Sequence, residues 1–310
     1  MTYLVAENLP TQPAGQRFRA LVEAPGILQL PGAYNGLSAL QAKAAGFAGV
    51  YLSGAAMSAS MGLPDLGITT IDDVCFFIRQ IARTSGLPIL VDGDTGFGEA
   101  LNVMQMVRAF EEAGAGAVQI EDQLLPKKCG HLNDKKLAPA ADMAAKVAAA
   151  RKARRHLYIV ARTDALEREG LDGAIARAKL YVEAGADAIF PEALTDAADF
   201  ARFAKEVPVP LLANMTEFGK TPFMTADQFA ALGYKMVIWP VSALRMAAKA
   251  HADLYTTLRE TGWAKPVVNQ MQTRSELYST IGYHDYEELD GTIARSLIPN
   301  GNPHTDNKGD

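Results

Sequence analysis

Residues 100–121 read ALNVMQMVRAFEEAGAGAVQIE, and they hold a helix, a stop and a strand in direct succession. Apolar side chains recur at helical spacing over Ala100–Ala113, and Gly114 then stands at the position of a C-terminal cap. The run Ala117–Glu121 is short and mostly apolar, which is typical of a strand buried on both faces of a parallel sheet. This stretch therefore predicts one helix–strand unit of an α/β fold.

The same unit recurs along the chain at intervals of roughly 25–35 residues. Eight short apolar runs are predicted to be strands: Gly26–Leu30, Gly49–Ser53, Pro88–Asp92, Ala117–Glu121, Leu157–Ala161, Ala188–Pro191, Pro210–Ala213 and Met236–Trp239. The clearest predicted helices are Ile71–Thr84, Ala100–Ala113, Ala140–Ala153, Leu171–Ala184 and Ser242–Thr261. Eight such units with short connections predict a (β/α)8 barrel of the TIM type. The alternative, a doubly wound open sheet, requires a glycine-rich phosphate-binding turn after its first strand, and the sequence has none there.

The domain organisation follows from the lack of a linker, since no stretch rich in Pro, Gly and Ser divides the 310 residues. We expect a single domain, 1–310, whose barrel covers about 17–262. A C-terminal helical extension is expected over about 263–298, with a short helix at Ser275–Ser279. The polar tail 299–310 is expected to be frayed.

The composition excludes several classes of protein. Hydrophobic residues make up 49% of the chain, which excludes disorder as its main state. The net charge of −5 provides no general basic field, so nucleic acid is not an expected partner. Two cysteines, Cys75 and Cys129, cannot build a disulfide scaffold, and Cys75 lies on an apolar helical stretch as a small buried side chain would. Without a signal-peptide pattern or a long apolar span, a cytoplasmic protein is expected.

Polar side chains gather at one end of the predicted strands. The residues at or just after the strand ends are mainly carboxylates, arginines and amides: Ser53, Gly54, Asp92, Asp94, Glu121, Asp122, Arg162, Asp164, Glu192, Asn214, Thr216 and Arg245. In (β/α)8 enzymes the active site lies at the carboxyl ends of the strands. The sequence therefore predicts an active site at this end.

Asp92 and Asp94 are the candidate metal ligands. Two carboxylates placed two residues apart at a strand end suit a hard divalent cation, and Glu121 and Glu192 would add nearby oxygen atoms. A site of oxygen ligands alone favours Mg²⁺, with Mn²⁺ as a possible substitute. The alternative is that Asp94 only shapes a turn before the next helix.

The segment Lys127-Lys128-Cys129-Gly130-His131 lies in the long loop after the fourth strand. A loop of this length in a barrel is often a lid. Two ammonium groups and an imidazole beside a thiol are expected to lower the thiol pKa, so that Cys129 can act as a proton donor or a nucleophile. The alternative is a solvated basic loop with an incidental cysteine.

Arg162 and Arg245 are candidate clamps for substrate carboxylates, because a guanidinium matches the geometry of a carboxylate. Either arginine could instead form a structural ion pair. Tyr51 is a candidate base near the barrel mouth or else a core aromatic side chain.

In the strand-end residues and the loop described above, the sequence resembles the isocitrate lyase/phosphoenolpyruvate mutase superfamily and, within it, the methylisocitrate lyases. The resemblance extends from about Arg17 to about Leu297. The matching segments are Tyr51–Gly54, Gly62–Gly67, Asp92–Gly98, Ile120–Gln123, Lys127–His131, Ala161–Asp164, Phe190–Ala193, Asn214–Gly219 and Met271–Arg274.

The resemblance implies a Mg²⁺-dependent carbon–carbon lyase that cleaves 2-methylisocitrate, a small tricarboxylate, to pyruvate and succinate in the methylcitrate cycle of propionate catabolism. It implies that Asp92 and Asp94 hold the metal. It also implies a set of substrate contacts: Ser53, Gly54, Ala55, Cys129, Gly130, Arg162, Glu192, Asn214, Met215, Thr216, Arg245 and Arg274. The expected assembly is a homotetramer, built as a dimer of dimers that exchange their eighth helix.

Roles for the reaction are expected as follows. Cys129 is the acid, with its proton made labile by Lys127, Lys128 and His131, and His131 also helps to hold substrate carboxylates. Tyr51 is the first candidate for the base, and Glu121 is the second.

Three departures from the family pattern leave the substrate open, namely Ala55, Gly93 and Lys128. Isocitrate lyase activity is the first alternative, and chemistry on oxaloacetate, dimethylmalate or phosphonates is the second. A barrel that only binds carboxylates is the third. The short chain and the sequence Asn-Met-Thr-Glu-Phe-Gly after the seventh strand favour methylisocitrate over isocitrate.

Overall fold

A computed structural model describes residues 2–130, 132 and 134–297, with side chains up to residue 293. The contacts divide the chain into two compact units. One unit is Pro10–Thr256, and the other combines Met1–Leu9 with Thr257–Asp310. The expected frayed tail 299–310 lies outside the described residues.

The larger unit contains eight parallel strands: β1 Leu28–Pro31, β2 Val50–Leu52, β3 Ile89–Asp92, β4 Ala117–Glu121, β5 Tyr158–Thr163, β6 Ala188–Pro191, β7 Leu212–Asn214 and β8 Met236–Trp239. Hydrogen bonding runs in the order β2-β3-β4-β5-β6 and in the order β1-β8-β7. Parallel bridges from Gly32 to Tyr51 and from Ile189 to Leu211 join the two sets. The strands therefore close into the predicted (β/α)8 barrel, and each lies within two residues of its predicted position.

Helices alternate with the strands: α1 Ala14–Glu23, α2 Gly36–Ala44, α3 Gly54–Ser60, α4 Ile71–Ser85, α5 Ala100–Ala113, α6 Ala140–Ala153, α7 Leu166–Ala184, α8 Ala197–Glu206, α9 Ala226–Ala231 and α10 Ser242–Thr261. The five predicted helices are confirmed. Gly114 and Gly185 cap α5 and α7 with φ values of 107° and 110°, which favour glycine. Helix α7 begins at Leu166, five residues before its predicted start, and breaks at Gly170, whose φ is 68°.

Large side chains fill the interior of the barrel. Tyr51, Leu90, Phe190 and Met236 form a buried cluster with Phe18 of α1. Phe18 also contacts the start of β4, because a Cβ on Gly116 would lie 3.2 Å from its Cβ atom. Helix α1 therefore covers the amino ends of the strands, and the carboxyl ends are left for the polar side chains.

Helix α10 differs from the other long helices. None of its residues, all of which the structure describes, is buried, although Met246 and Tyr255 are apolar. Met246 is 75% exposed and Tyr255 is 64% exposed. Such a surface on a single chain is unusual, because apolar helix faces are normally packed.

The smaller unit contains a 3-10 helix, Lys265–Gln270, followed by α11 Arg274–Ile281 and α12 Tyr283–Leu297. Thr273 and Glu276 form a capping box at the start of α11. Tyr278 and Tyr283 stack with their ring centres 4.5 Å apart. The predicted helix Ser275–Ser279 is the middle of α11. No helix among the described residues is long and apolar enough to cross a membrane.

Candidate active site

A cavity of about 100 Å³ opens at the carboxyl ends of the strands. Its lining includes most of the side chains predicted for the site: Tyr51, Ser53, Ala55, Asp92, Glu121, Lys127, Lys128, Cys129, Gly130, Arg162, Glu192, Asn214, Thr216 and Arg245. It also includes Asp65, Phe190, Ile238, Pro240 and Val241, which the sequence analysis did not assign to the site. These residues come from all parts of the barrel sequence, so the closed barrel is what brings them together.

The start of α3 forms one wall of the cavity. The Ser53 hydroxyl caps the helix by accepting a hydrogen bond from the Ala56 backbone N–H at 3.4 Å. The Gly54 N–H donates to Asp92 Oδ2 at 3.0 Å. A Cβ on Gly54 would lie 3.0 Å from Asp92 Oδ2 and 3.3 Å from Asp94 Oδ1. Both carboxylates therefore converge on this glycine, which leaves them the space that a side chain would take.

Asp92 is held in place by three donors. Besides Gly54, the Asp94 N–H donates to Asp92 Oδ1 at 3.1 Å, and the Gln119 side-chain amide donates to the same oxygen at 3.3 Å. Gln119 in turn accepts a hydrogen bond from the Tyr51 hydroxyl at 3.0 Å. Burial raises the pKa of Tyr51 well above its usual value, and the nearby Asp92 charge adds to this effect. The geometry thus presents Tyr51 as a neutral phenol that supports Gln119.

Asp94 forms an ion pair with a lysine from the loop after β4. Lys127 Nζ lies 2.5 Å from Asp94 Oδ1 and 2.5 Å from Asp65 Oδ1. Burial raises the pKa of Asp94 to about 6, helped by Asp92 and opposed by Lys127. For Lys127, burial lowers the pKa, but the surrounding carboxylates, Glu121 first among them, outweigh it and raise the pKa. The Lys127 ammonium therefore lies against the carboxylates of Asp94 and Asp65, a position that the sequence did not predict.

The residues at this wall fit a divalent cation. Asp92 and Asp94 converge, and a cationic group, the Lys127 ammonium, already lies against Asp94. Glu121 Oε1 is buried and accepts no hydrogen bond. Among the described residues no group of three or more Asp, Glu, His or Cys side chains is arranged to hold a metal. Mg²⁺ is commonly bound through one or two carboxylates, with water and substrate completing its shell, so two carboxylates suffice.

Asp94 also shapes the turn, as the alternative reading proposed. Its φ is 47°, in the left-handed region, and its N–H is bonded to Asp92. It does not cap the next helix, because the residue at the N-cap of α5 is Glu99. The turn conformation of Asp94 is therefore confirmed, whereas its role as a metal ligand stays a prediction.

Arg162 is the central cation of a second part of the cavity lining, which we call the arginine wall. Its Nε and Nη2 donate to Asp164 at 2.9 and 3.0 Å, and its Nη1 lies 3.1 Å from Glu192 Oε2. Its Nε is also 3.5 Å from Glu121 Oε2. Burial alone would lower its pKa, but Asp164 and then Glu192 and Glu121 outweigh burial and keep it charged. The guanidinium stacks on Phe190 at 5.1 Å, which fixes its plane in the cavity.

Glu192 and Asn214 continue this wall. The Asn214 amide lies 3.3 Å from both carboxylate oxygens of Glu192. The Ala193 N–H donates to Glu192 Oε1 at 2.9 Å. Met215 does not line the cavity; it is buried, and its sulfur accepts a hydrogen bond from the Met224 N–H at 3.2 Å.

The described part of the predicted lid contributes to the lining of the cavity. We refer to Lys127–Gly130 as the lid segment. The Gln123 side chain forms two hydrogen bonds with the Lys128 backbone. It accepts one from the N–H and donates one to the C=O, both at 2.9 Å. Cys129 is exposed and lines the cavity. His131, which was predicted to take part in catalysis, lies outside the described residues.

Arg245 forms the ion pair of its alternative role, and its role as a clamp for substrate carboxylates stays a prediction. It lines the cavity, and its Nη1 also donates to Glu217 Oε2 and to the Glu217 carbonyl, both at 2.8 Å. The guanidinium lies 5.3 Å above the Phe218 ring. Arg274 is the first residue of α11 in the smaller unit.

Four residues of this region were missed. The sequence pattern predicts no role for Asp65, and it indicates Asp122 and Asp164 only as carboxylates at strand ends. Gln119 carries the clearest sequence signal, since it is a polar residue inside an apolar strand run and it is fully buried. A polar side chain at such a position needs a partner, which here is Asp92.

Comparison with known proteins assigns the chain a family. The model of the phosphoenolpyruvate phosphomutase family matches residues 18–259. A 2-methylisocitrate lyase from Bacillus subtilis (strain 168) is 53% identical over 96% of this chain and 99% of its own length. A 2-methylisocitrate lyase from Halalkalibacterium halodurans is 51% identical over 96% and 99%.

Solved structures agree in fold. The crystal structure of 2,3-dimethylmalate lyase, a member of the PEP mutase/isocitrate lyase superfamily, matches with a TM-score of 0.86 at 31% identity and covers 94% of this chain and 99% of its own. A phosphonopyruvate hydrolase complex with oxalate and Mg²⁺ matches with a TM-score of 0.80 at 31% identity, covering 92% and 100%.

Proposed function

The chain belongs to the phosphoenolpyruvate phosphomutase family, and we propose that it cleaves 2-methylisocitrate to pyruvate and succinate as a Mg²⁺-dependent carbon–carbon lyase. One observation carries the proposal. Asp92, Cys129 and Arg162 line one cavity. The chain that carries them is 53% identical to a 2-methylisocitrate lyase along nearly its whole length. The pathway it would serve is the methylcitrate cycle of propionate catabolism.

The reaction places definite demands on the site. A base must remove the proton of the substrate hydroxyl, and positive groups must hold the carboxylates of the tricarboxylate substrate. Negative charge then develops on the carbon beside a carboxylate, where an acid must deliver a proton. The lining of the cavity offers a candidate for each of these tasks.

Asp92 and Asp94 would hold the cation. Mg²⁺ bound there would supply Lewis-acid stabilisation of the negative charge that develops on the substrate oxygen. The phosphonopyruvate hydrolase structure, solved with Mg²⁺ and oxalate, supports this metal for the family. Lys127 and Gly54 keep both carboxylates directed at the cavity.

Arg162 and Arg245 would bind substrate carboxylates, with Asn214 and Thr216 as neutral donors beside them. Arg162 is already oriented by Asp164 and stacked on Phe190, so little of its freedom is lost when substrate binds. Burial of this charge also strengthens its attraction for an anionic substrate.

Glu121 is the proposed base and Cys129 the proposed acid. Tyr51 was the first candidate for the base, but its hydroxyl donates to Gln119 and burial keeps it protonated. Glu121 lines the same cavity and has a buried oxygen that accepts no hydrogen bond, so it can receive a proton. Cys129 reaches the cavity from the lid segment, where its thiol would protonate the carbon of the succinate product.

A cytoplasmic homotetramer with exchanged helices is the proposed form of the protein. The support comes from α10, which leaves Met246 and Tyr255 exposed on a single chain. Packing α10 on a second copy would bury this surface. Light scattering coupled to size-exclusion chromatography tests the assembly, and a monomeric mass would refute it.

Product identification tests the function. The protein is incubated with Mg²⁺ and 2-methylisocitrate, isocitrate or 2,3-dimethylmalate, and the products are identified by mass spectrometry. We expect pyruvate and succinate from the first substrate, suppressed by a chelator and restored by added Mg²⁺. Glyoxylate as the main product from isocitrate, or no chelator-sensitive product at all, would refute the proposal.

A further inference from the structure

Lys135 has no role in the reaction proposed above, yet its side chain is only 3% exposed. It lies five residues after Gly130, beyond the lid segment. A buried ammonium needs partners, because an unpaired buried charge is strongly disfavoured. Its two partners are a backbone carbonyl of the lid segment and the carboxylate that follows β5.

The Lys135 ammonium joins the lid segment to the arginine wall. It donates a hydrogen bond to the Gly130 carbonyl, and it forms an ion pair with Asp164 Oδ1 at 3.2 Å. The same Asp164 oxygen accepts a hydrogen bond from Arg162 Nη2 at 3.0 Å. One ammonium thus links the backbone of the lid segment to the carboxylate that orients Arg162.

Gly130 is packed directly against this wall. A methyl group on Gly130 would overlap Glu192 Cγ and Arg162 Nη2, so only glycine allows the backbone to come this close. Cys129 precedes Gly130, so the position of the Gly130 carbonyl restricts where the Cys129 side chain can lie.

Asp164, the residue to which Lys135 is bound, is itself held by hydrogen bonds. The Asp164 N–H donates to Asp122 Oδ1 at 2.8 Å. Asp122 Oδ2 accepts hydrogen bonds from the hydroxyls of Thr163 and Tyr181, both at 2.8 Å. Asp164 and Asp122 are both buried. The Asp164 carboxylate, which pairs with Lys135, therefore belongs to a buried and hydrogen-bonded polar network.

We propose that Lys135 is a positioning residue, which holds Gly130 and therefore Cys129 against the Arg162 guanidinium. The ammonium thereby ties the placement of the acid to the carboxylate that orients the arginine. The inference rests on the proposed function, since Cys129 and Arg162 have their roles in that reaction. Lys135 itself does not line the cavity.

The test compares Lys135→Met, which keeps the chain length but removes the charge, with Lys135→Arg, which can still donate to both partners. Lys136→Met is the matched control, because Lys136 is adjacent and exposed. Each full-length variant is assayed for kcat and KM, for its melting temperature, and for the rate of tryptic cleavage after Lys128, followed by mass spectrometry.

For Lys135→Met we expect kcat to fall about 100-fold, because a small displacement of a reacting group costs this much. Cleavage after Lys128 should rise by about tenfold or more, because the lid segment opens more often. The melting temperature should change little, since Asp164 keeps both hydrogen bonds to Arg162. Lys135→Arg should recover most of kcat, and Lys136→Met should match the wild type.

Wild-type kcat and cleavage rates in Lys135→Met would overturn the proposal, as would an equal loss in Lys135→Arg. If Lys135→Met does not fold, Lys135→Gln replaces it, and wild-type values for both readouts in that variant would equally overturn the proposal. The cleavage rate does not depend on the substrate. It therefore tests Lys135 even if the wild-type protein fails to turn over 2-methylisocitrate, which would refute the proposed function alone.

Discussion

The two sides of the cavity are held in different ways. The strand-end wall, which consists of Asp92, Glu121 and Arg162, lies on β3, β4 and β5, whose register is set by parallel backbone hydrogen bonds. The lid segment Lys127–Gly130 has no place in that sheet. It is held by side chains that reach its ends, those of Gln123, Lys135 and Asp65.

This difference separates two kinds of function. Groups that need a fixed position lie on the rigid wall, where burial raises the pKa of Glu121 and neighbouring carboxylates raise the pKa of Arg162. The proposed acid lies on a segment outside the sheet, which under the proposed function would move away to admit a bulky anionic substrate before catalysis. We therefore expect changes in the wall to affect both stability and activity, and changes in the lid segment to affect activity alone.

The largest effect is expected from the lid segment. Cys129→Ser should lower kcat by about 10³-fold or more, because a hydroxyl is a far weaker acid than a thiol. The melting temperature should stay at the wild-type value, since Cys129 is exposed. Steady-state kinetics and calorimetry check this, with Cys75→Ser, a change at a buried residue of α4, as the control that should keep kcat. Near wild-type turnover in Cys129→Ser would contradict the acid assignment.

Asp92→Ala should combine loss of activity with loss of stability. The substitution removes a proposed metal ligand, so kcat should fall by about 10²-fold or more. It also leaves the Gly54 and Asp94 N–H groups and the Gln119 amide without their acceptor, at a cost of about 1–3 kcal/mol for each group that stays unsatisfied. Titration calorimetry with Mg²⁺ and urea unfolding measure the two effects separately. Unchanged metal affinity would refute the role of Asp92 as a ligand.

Gln123→Ala should change rate far more than stability. The two hydrogen bonds that hold the Lys128 backbone are lost, which would lower kcat by about tenfold through a less ordered lid segment. The free energy of unfolding should fall by no more than about 1–3 kcal/mol for two hydrogen bonds. Kinetics and urea unfolding check this against Gln105→Ala, which changes an exposed glutamine of α5 outside the cavity. If stability falls steeply while kcat is kept, the loop has a structural role.

The smallest effect is expected from a substitution that lies in neither the strand-end wall nor the lid segment. Thr225 caps α9 by accepting a hydrogen bond from the Gln228 N–H at 3.2 Å. Thr225→Ala should cost about 1 kcal/mol of stability and leave kcat unchanged. Thr225→Ser, which keeps the hydroxyl, is the matched control for the urea-unfolding measurement. A change in kcat would show that the outer helices also influence the cavity.

Much of the architecture could be predicted because it is encoded locally. Apolar runs and capping glycines are short-range signals, and they located all eight strands and five helices. The errors lie at element ends, where tertiary pairing decides. Strand β5 continues through Arg162 and Thr163, beyond its predicted end at Ala161, because these residues pair with Phe190 and Pro191 of β6.

The candidate site could be predicted only in part. Strand-end polarity located Asp92, Glu121 and Arg162, and their presence in one cavity follows from the barrel. It did not predict the contact between Lys127 and Asp65, because the two residues lie 62 positions apart in the sequence. The choice between Tyr51 and Glu121 as base depends on the hydrogen bond to Gln119, which no spacing reveals.

The sequence by itself determined the parallel barrel, the end of it where polar side chains gather, and the kinds of side chain available there. These are properties of periodicity and residue type, which act between near neighbours along the chain. Only the tertiary structure decided which charges meet: Lys127 with Asp65 and Asp94, and Lys135 with Gly130 and Asp164. Such pairs depend on distances between atoms and on exclusion of water, and both arise only once the barrel has closed.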